Sequence, residues 1–206
     1  MYVPHFNAVD DPAEVEAFVR AAGAAELVTV GDDGTPLSTR LPVIWLPGES
    51  RLVVHMARAN PHWRRIAPGA RALAIVSGAD AYVSPSWYAS KAEHGRVVPT
   101  WNYSAVHLTG TVTVHDDPAW VREAVTELTE LHESRRAEPW AVTDAPGKYV
   151  EGQLRAIVGL EMRVEAVEAK AKLSQNRSDE DRAGVVEGLR AEPDRRSHAV
   201  ADAMDR

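Results

Sequence analysis

Cysteine is missing from this 206-residue chain, which excludes disulfides, zinc–thiolate centres and iron–sulfur clusters. No apolar run approaches the ~18–20 residues a membrane span needs. The opening Met1-Tyr2-Val3-Pro4-His5 lacks the basic-then-apolar order of a secretory signal. A cytoplasmic location without membrane association is therefore expected. Lysine is scarce: of 23 basic residues, Lys91, Lys148, Lys170 and Lys172 are the lysines and the rest are arginine. Positive charge is not in surplus either. A net charge of -7 argues against the broad basic face on which nucleic-acid affinity depends. Neither GxGxxG nor a P-loop occurs, so phosphate binding on a glycine-rich helix start is not expected. His62, His94 and His107 are not at HExxH or comparable metal spacing. There is no GxSxG elbow, no defensible helix-turn-helix and no internal repeat.

What is present is ordinary for a globular chain: 45% hydrophobic and 26% charged residues. Asp11-Pro12-Ala13-Glu14 places an acceptor, a proline and an acid in the order that starts a helix. Val15, Phe18, Val19 and Ala22 then share a face, and Gly23 ends it. Strands are expected at Leu27–Val30, Leu37–Leu46, Arg51–Ala57, Ala70–Ser77, Ala81–Ser84 and Val106–His115, separated by turn residues. Pro42 inside the second of these signals an edge or a bulge. Asp117-Pro118 opens a second helix to about Arg136, with Val121, Val125, Leu128 and Leu131 or His132 inward. A shorter helix is expected from Tyr149 to Arg155. Val158 to Ala166 alternates as a half-buried strand. Ser178–Arg190 reads as a helix, and Pro193–Arg206 as a frayed tail. Short strands with two capped helices, and no strand–helix–strand alternation, give a mainly β chain with helices (α+β), a barrel or sandwich.

Three segments concentrate unusual residues. His55 to Arg65 gathers arginines, Asn60, two histidines and Trp63 at a strand end, a mixture that suits an anion carried on a flat aromatic; a solvated loop anchored by Trp63 is the alternative. Tyr82 to Tyr103 holds Tyr82, Trp87, Tyr88, Trp101 and Tyr103, much of the chain's complement of 6 Trp and 5 Tyr. It suits an interface or a ligand pocket, or a loop packed by its own aromatics. Lys172-Leu173-Ser174-Gln175-Asn176-Arg177 follows the last strand with two cations and several hydrogen-bonding groups; a polar strand exit is the simpler reading.

At these segments the chain resembles the PaiB family of FMN-binding negative transcriptional regulators. The matching residues are Met1-Tyr2-Val3-Pro4, His55-Met56-Ala57-Arg58-Ala59-Asn60-Pro61, Ala81 to Tyr88, Val98-Pro99-Thr100-Trp101-Asn102-Tyr103 and Lys172 to Arg177. The resemblance implies an FMN-binding split β-barrel over 1–177, with 178–206 as a C-terminal helix and flexible tail. It implies a homodimer with FMN at the subunit interface. By similarity of strand order, Thr39, Arg40, Leu41, Pro42 and Val43 border the isoalloxazine. His55, Met56, Ala57, Asn60, Pro61 and Trp63 form the adjacent wall. Arg58, Trp101, Asn102, Lys172 and Arg177 complete the expected cofactor contacts, with Arg40 an expected phosphate partner. The wider split-barrel relatives, pyridoxamine-phosphate oxidases and flavin reductases, usually place a Lys or Arg where Pro61 and His62 stand here. The implied function is a flavin-dependent negative regulator for which the charge argues against strong direct DNA contact. The alternative is an FMN-dependent oxidoreductase acting on a small molecule.

Overall fold

Alternating burial along the strands gives the sheet an apolar inner face. The computed structural model describes residues 1–205; Arg206, the end of the expected tail, lies outside the described residues. The elements, in chain order, are α1 (Pro12–Ala22), β1 (Ala24–Val30), β2 (Pro36–Leu46), β3 (Arg51–Ala57), β4 (Arg71–Val83), α2 (Ser90–His94), β5 (Thr100–His115), α3 (Pro118–Glu133), α4 (Gly147–Arg155), β6 (Ile157–Lys172), α5 (Asp179–Ala191) and α6 (Arg195–Met204). The six strands form a closed barrel in the order β1-β2-β3-β6-β5-β4. The β1–β2, β1–β4, β2–β3 and β3–β6 pairs are antiparallel. Alternate residues fill the interior: Ala25 and Leu27, Leu41 and Val43, Leu52, Val54 and Met56, Ala72, Ala74 and Val76, Val106, Leu108 and Val112, Val158, Leu160 and Met162 are all buried.

The chain forms two compact units. The barrel unit comprises Glu16–Val76 and His107–Val167. On its outer face α3 covers the sheet: Ala124 packs with Ile44 and Val53, flanked by Leu128 and Leu131. Val121 joins Val142, Val150 and Leu154, which brings α4 under α3. Asp117 caps α3 as its proline signature requires, accepting from the Trp120 backbone at 2.9 Å. Trp120 lies across Gly159, where a Cβ would stand 2.1 Å from the ring. Two strands also touch here, since a Cβ on Gly110 would lie 1.9 Å from the Arg163 carbonyl oxygen.

The other, terminal unit comprises Met1–Val15, Ser77–Val106 and the residues from Glu168 onward. Its core joins Ala81, Val83, Tyr88 and Leu173 to Val185 and Leu189 of α5 and to Val200, Ala201 and Met204 of α6. The segment expected to fray is thus a helix, Arg195–Met204, with its apolar residues three and four apart on one buried face. The strands expected at 70–77 and 81–84 are one, β4. β5 starts at Thr100 rather than Val106, and β6 runs on to Lys172. Among the described residues, no helix is long and apolar enough to cross a membrane.

Candidate functional site

In the barrel unit, β2 and β3 part company. Their ladder runs from Leu46↔Arg51 to Val43↔Val54. Beyond it Thr39–Pro42 pair with β1, while His55–Ala57 pair with β6. The 3-10 turn Pro61–Arg65 follows β3 at this end, and it is hooked to β2 by side chains. Asn60 caps the turn, accepting from the His62 backbone N–H at 3.0 Å, and its amide nitrogen donates to Thr39 Oγ1 at 3.3 Å. The His62 ring bonds Thr39 Oγ1 through Nδ1 and Thr29 Oγ1 through Nε2, each at 2.8 Å. His62 is 4% exposed. Burial, helped by the neighbouring Arg65 charge, holds it below the ordinary histidine value, so the ring is neutral at pH 7. Burial likewise lowers His55.

This brings Thr39, His55, Met56, Ala57, Asn60, Pro61 and Trp63 to one end of the barrel. Leu41, Val43 and Met56 are buried in the interior, so they can offer a ligand backbone rather than side chain. The arginines are differently placed. Arg40 is exposed and pairs across the β1–β2 ladder with Glu26 at 3.2 Å. Arg58 pairs with Asp116 and also donates to the Arg155 and Ile157 carbonyls at 2.8 and 3.1 Å. Arg65 pairs with Asp33 at 2.5 Å. Trp63 donates its indole N–H to the Arg58 carbonyl at 3.0 Å, and the exposed Arg64 guanidinium lies 4.8 Å from its ring centroid.

The remaining expected residues, Trp101, Asn102, Lys172 and Arg177, lie in the terminal unit. Asn102 is fully buried and bonds the Ser174 hydroxyl at 3.0 Å. Ser174 takes a left-handed backbone, φ 62°, where the chain leaves β6. Asn102 is therefore a structural clasp on this turn. Arg177 stacks over the buried Tyr88 ring at 4.6 Å. Asp181 anchors α2 by accepting from the Ser90 N–H and hydroxyl at 2.9 and 2.8 Å. Burial pushes its carboxyl up, but these bonds, with Arg177 and His94 nearby, prevail and hold it low. Trp87 is committed to packing, seated in a notch formed by Gly184 and Gly188 of α5. Tyr82 and Trp101 stay about half exposed, edge to face at 6.3 Å. Lys172 Nζ donates to Thr100 Oγ1 at 2.5 Å and to the Trp101 carbonyl at 2.8 Å. Burial pushes its ammonium below the ordinary lysine value and Lys170 adds to this, while Tyr103 opposes it.

Residues absent from the expected set are Thr29, His62, Tyr103 and Lys170. Thr29 carries no motif, whereas His62 falls in the His55–Arg65 segment singled out above without being among the expected cofactor contacts. Lys170 could have been found from the alternation that places it on the same strand face as Lys172.

The sequence model of a family described as "Putative FMN-binding domain" matches residues 1–166. The chain is 32% identical over 207 residues to the protease synthase and sporulation protein PAI 2 of Bacillus subtilis, covering 100% of this chain and 97% of that protein. Among solved structures it resembles an FAD- and heme-binding protein from Mycobacterium smegmatis, with TM-score 0.61 and 22% identity over 86% of this chain and 79% of the other. It also resembles a conserved hypothetical protein from Mycobacterium tuberculosis, with TM-score 0.59 and 14% identity over 85% and 92% of the two chains. At these identities the structural likenesses speak to the fold.

Proposed function

Because this chain belongs to the PaiB family of FMN-binding domains, with the split-barrel fold of flavin-binding proteins, we propose that it is an FMN-binding homodimer that acts as a flavin-dependent negative regulator. The observation that carries the cofactor reading is the parting of β2 from β3. It leaves Thr39–Pro42 paired on the β1 side, and the neutral Thr29–His62–Thr39 network fixes the adjacent turn. Backbone groups of Thr39–Pro42 can then hydrogen-bond a flat polar ring edge, while the indole of Trp63 gives an apolar wall. A neutral His62 adds no positive charge to that bed. Bound FMN would supply one- and two-electron chemistry, and the protein would supply position and electrostatics.

Full-length similarity to PAI 2 supports the regulatory role. The net charge of -7 supports regulation without strong direct contact to DNA. For the dimer, the supporting feature is the exposed apolar group Tyr82, Val98 and Trp101 in the terminal unit.

Titration with FMN, read by flavin fluorescence and the visible spectrum, tests the cofactor. Binding at tens of micromolar or tighter, about -6 kcal/mol or more, is expected, and no binding in that range refutes it. Sedimentation at micromolar concentration with FMN present should show a dimer, and a monomer alone would refute that part. Anisotropy with DNA at ~150 mM salt should not reach the ~10⁻⁸ M range of specific regulators.

A further inference from the structure

His62 joins three parts of the barrel unit through one ring. Thr29 belongs to the inner row of β1 with Ala25 and Leu27, all buried. Thr39 stands opposite Leu27 and so shares that face. The ring lies between the two hydroxyls, 2.8 Å from each, and is 4% exposed. The other ties of the Pro61–Arg65 turn to the sheet are slighter: the Asn60 amide on Thr39 at 3.3 Å and the partly exposed Arg65–Asp33 pair. A neutral imidazole suits this place, since one nitrogen donates and the other accepts. An imidazolium would donate from both, and Thr39 Oγ1, already accepting from Asn60, would have to accept again. The charge would also find no free carboxylate. Asp32 and Asp33 of the β1–β2 turn are engaged by Arg65, whose own charge opposes a second cation at His62. Glu26 and Arg40 lie on the outer rows of β1 and β2 and pair with each other. On β4, Ala72 stands opposite Thr29, and its neighbour Arg71 is held by Glu165. Arg64 lies over Trp63, and His55 of β3 is itself kept neutral by burial. A buried charge without a partner is costly, so a protonated ring gains by reaching water.

We propose that His62 is a proton-operated latch: on taking a proton from water its ring leaves Thr29 and Thr39, the Pro61–Arg65 turn comes away from the sheet, and a ligand lying on Thr39–Pro42 is released. One N–H bond forms, and only hydrogen bonds break. For a flavin as that ligand the latch rests on the function proposed above; the movement of the turn does not. Burial sets the direction. The latched ring titrates below 6.5, the value of a free histidine, so the open form binds the proton better and gains as pH falls.

Two experiments on the full chain test it, from pH 7.5 downward. In the first, on the parent without flavin, NMR follows the His62 ring together with hydrogen exchange of two turn amides, corrected for the intrinsic pH dependence of exchange. These are His62, bonded to Asn60, and Ile66, bonded to the Trp63 carbonyl. Their protection should fall as the ring titrates, while the β1 residues in the ladder to β4 keep theirs. Protection that outlasts the titration overturns the latch. Loss shared by β1 is unfolding of the barrel and overturns it too. In the second, FMN and riboflavin are titrated into the parent, His62→Gln and His55→Gln. Riboflavin has no phosphate to ionise, so its affinity reports the latch alone. In the parent it should fall roughly tenfold for each pH unit once the ring titrates. Glutamine keeps a donor and an acceptor but takes no proton, so the affinity of His62→Gln should stay nearly level with pH. His55→Gln should follow the parent. A level affinity in the parent overturns release, as does an equal fall in His62→Gln or a fall abolished by His55→Gln. If neither flavin binds even at pH 7.5, the proposed function fails and the exchange measurement decides the latch.

Discussion

Two sets of cations, one in each unit, are handled in opposite ways, although the terminal unit also pairs Arg190 with Asp205 and Arg196 with Asp80. In the barrel unit the arginines are answered by acids: Arg40 by Glu26, Arg51 by Glu49 and Glu161, Arg58 by Asp116, Arg65 by Asp33 and Arg71 by Glu165. In the terminal unit Lys170 and Lys172 face carbonyls, a hydroxyl and aromatic rings. The first pattern ties strand to strand and turn to strand. The second holds each ammonium among neutral partners. At the strand end expected to bind an anion, Arg58 and Arg65 are thus engaged by Asp116 and Asp33, while Arg64 lies over the Trp63 ring.

The same contrast extends to packing, and the largest expected effect tests it there. Gly110→Val in the barrel unit drives a side chain into the Arg163 backbone, which cannot move without opening the sheet. A loss of about 3 kcal/mol or more is expected in urea unfolding. Gly188→Ala in α5 meets the Trp87 indole instead, a side chain that can tilt only at the expense of its packing in the notch, so a smaller loss of ~1–2 kcal/mol is expected. Equal losses would remove the distinction.

His62→Leu should cost about 1–3 kcal/mol by leaving the buried Thr29 hydroxyl without its partner. If urea midpoints show no loss, the network does not hold β1, β2 and the turn together.

A gentler probe of the same network is pH. The folded chain holds His62 and His55 below 6.5, the value of an unstrained histidine. Between their folded values and 6.5 the unfolded chain binds more protons, so stability should fall as pH drops below about 6.5 and level off beneath the folded values. Lys172 has the same sign at the other end of the scale. Its lowered pKa means stability rises with pH in the window below 10.5. Replacing His62 by Asn should flatten the acid slope, as read from urea midpoints at pH 7.5 and 5; an unchanged slope assigns it elsewhere.

The smallest effect is expected for Arg40→Ala. Its ion pair with Glu26 is exposed, so a stability change under about 1 kcal/mol is expected. FMN affinity should hardly move if Glu26 already satisfies the guanidinium. A tenfold loss of FMN affinity would restore Arg40 as a phosphate partner.

Local chemistry made much of the fold legible in the sequence. The Asp-Pro starts of α1 and α3 and the alternation of β2, β3 and β6 are short-range patterns, and each forms where it is expected. What escaped depends on distant partners. Thr100–Ser104 is too polar to read as strand, yet Asn102 is fully buried because Ser174 lies against it. The many charges of 193–205 hide the spacing of Ser197, Val200, Ala201 and Met204, which forms the buried face of α6. In the candidate site, the clustering of Asn60, Trp63 and the arginines was visible from sequence. The antiparallel register that puts Glu26 opposite Arg40 was not.

The terminal unit is assembled from both ends of the chain: Met1 reaches Glu168, and Ala8 bridges to Lys170. During synthesis, the first fifteen residues emerge long before the strand they attach to. They must wait as an unpaired nascent segment until β6 and the closing helices have left the ribosome. Contacts so far apart in sequence slow folding, because loop closure comes before its reward. A chain stopped at residue 166, where the family match ends, would strand that segment for good. Such a fragment should be a substrate for proteases at its own N-terminus while its barrel unit keeps nearly all of its residues.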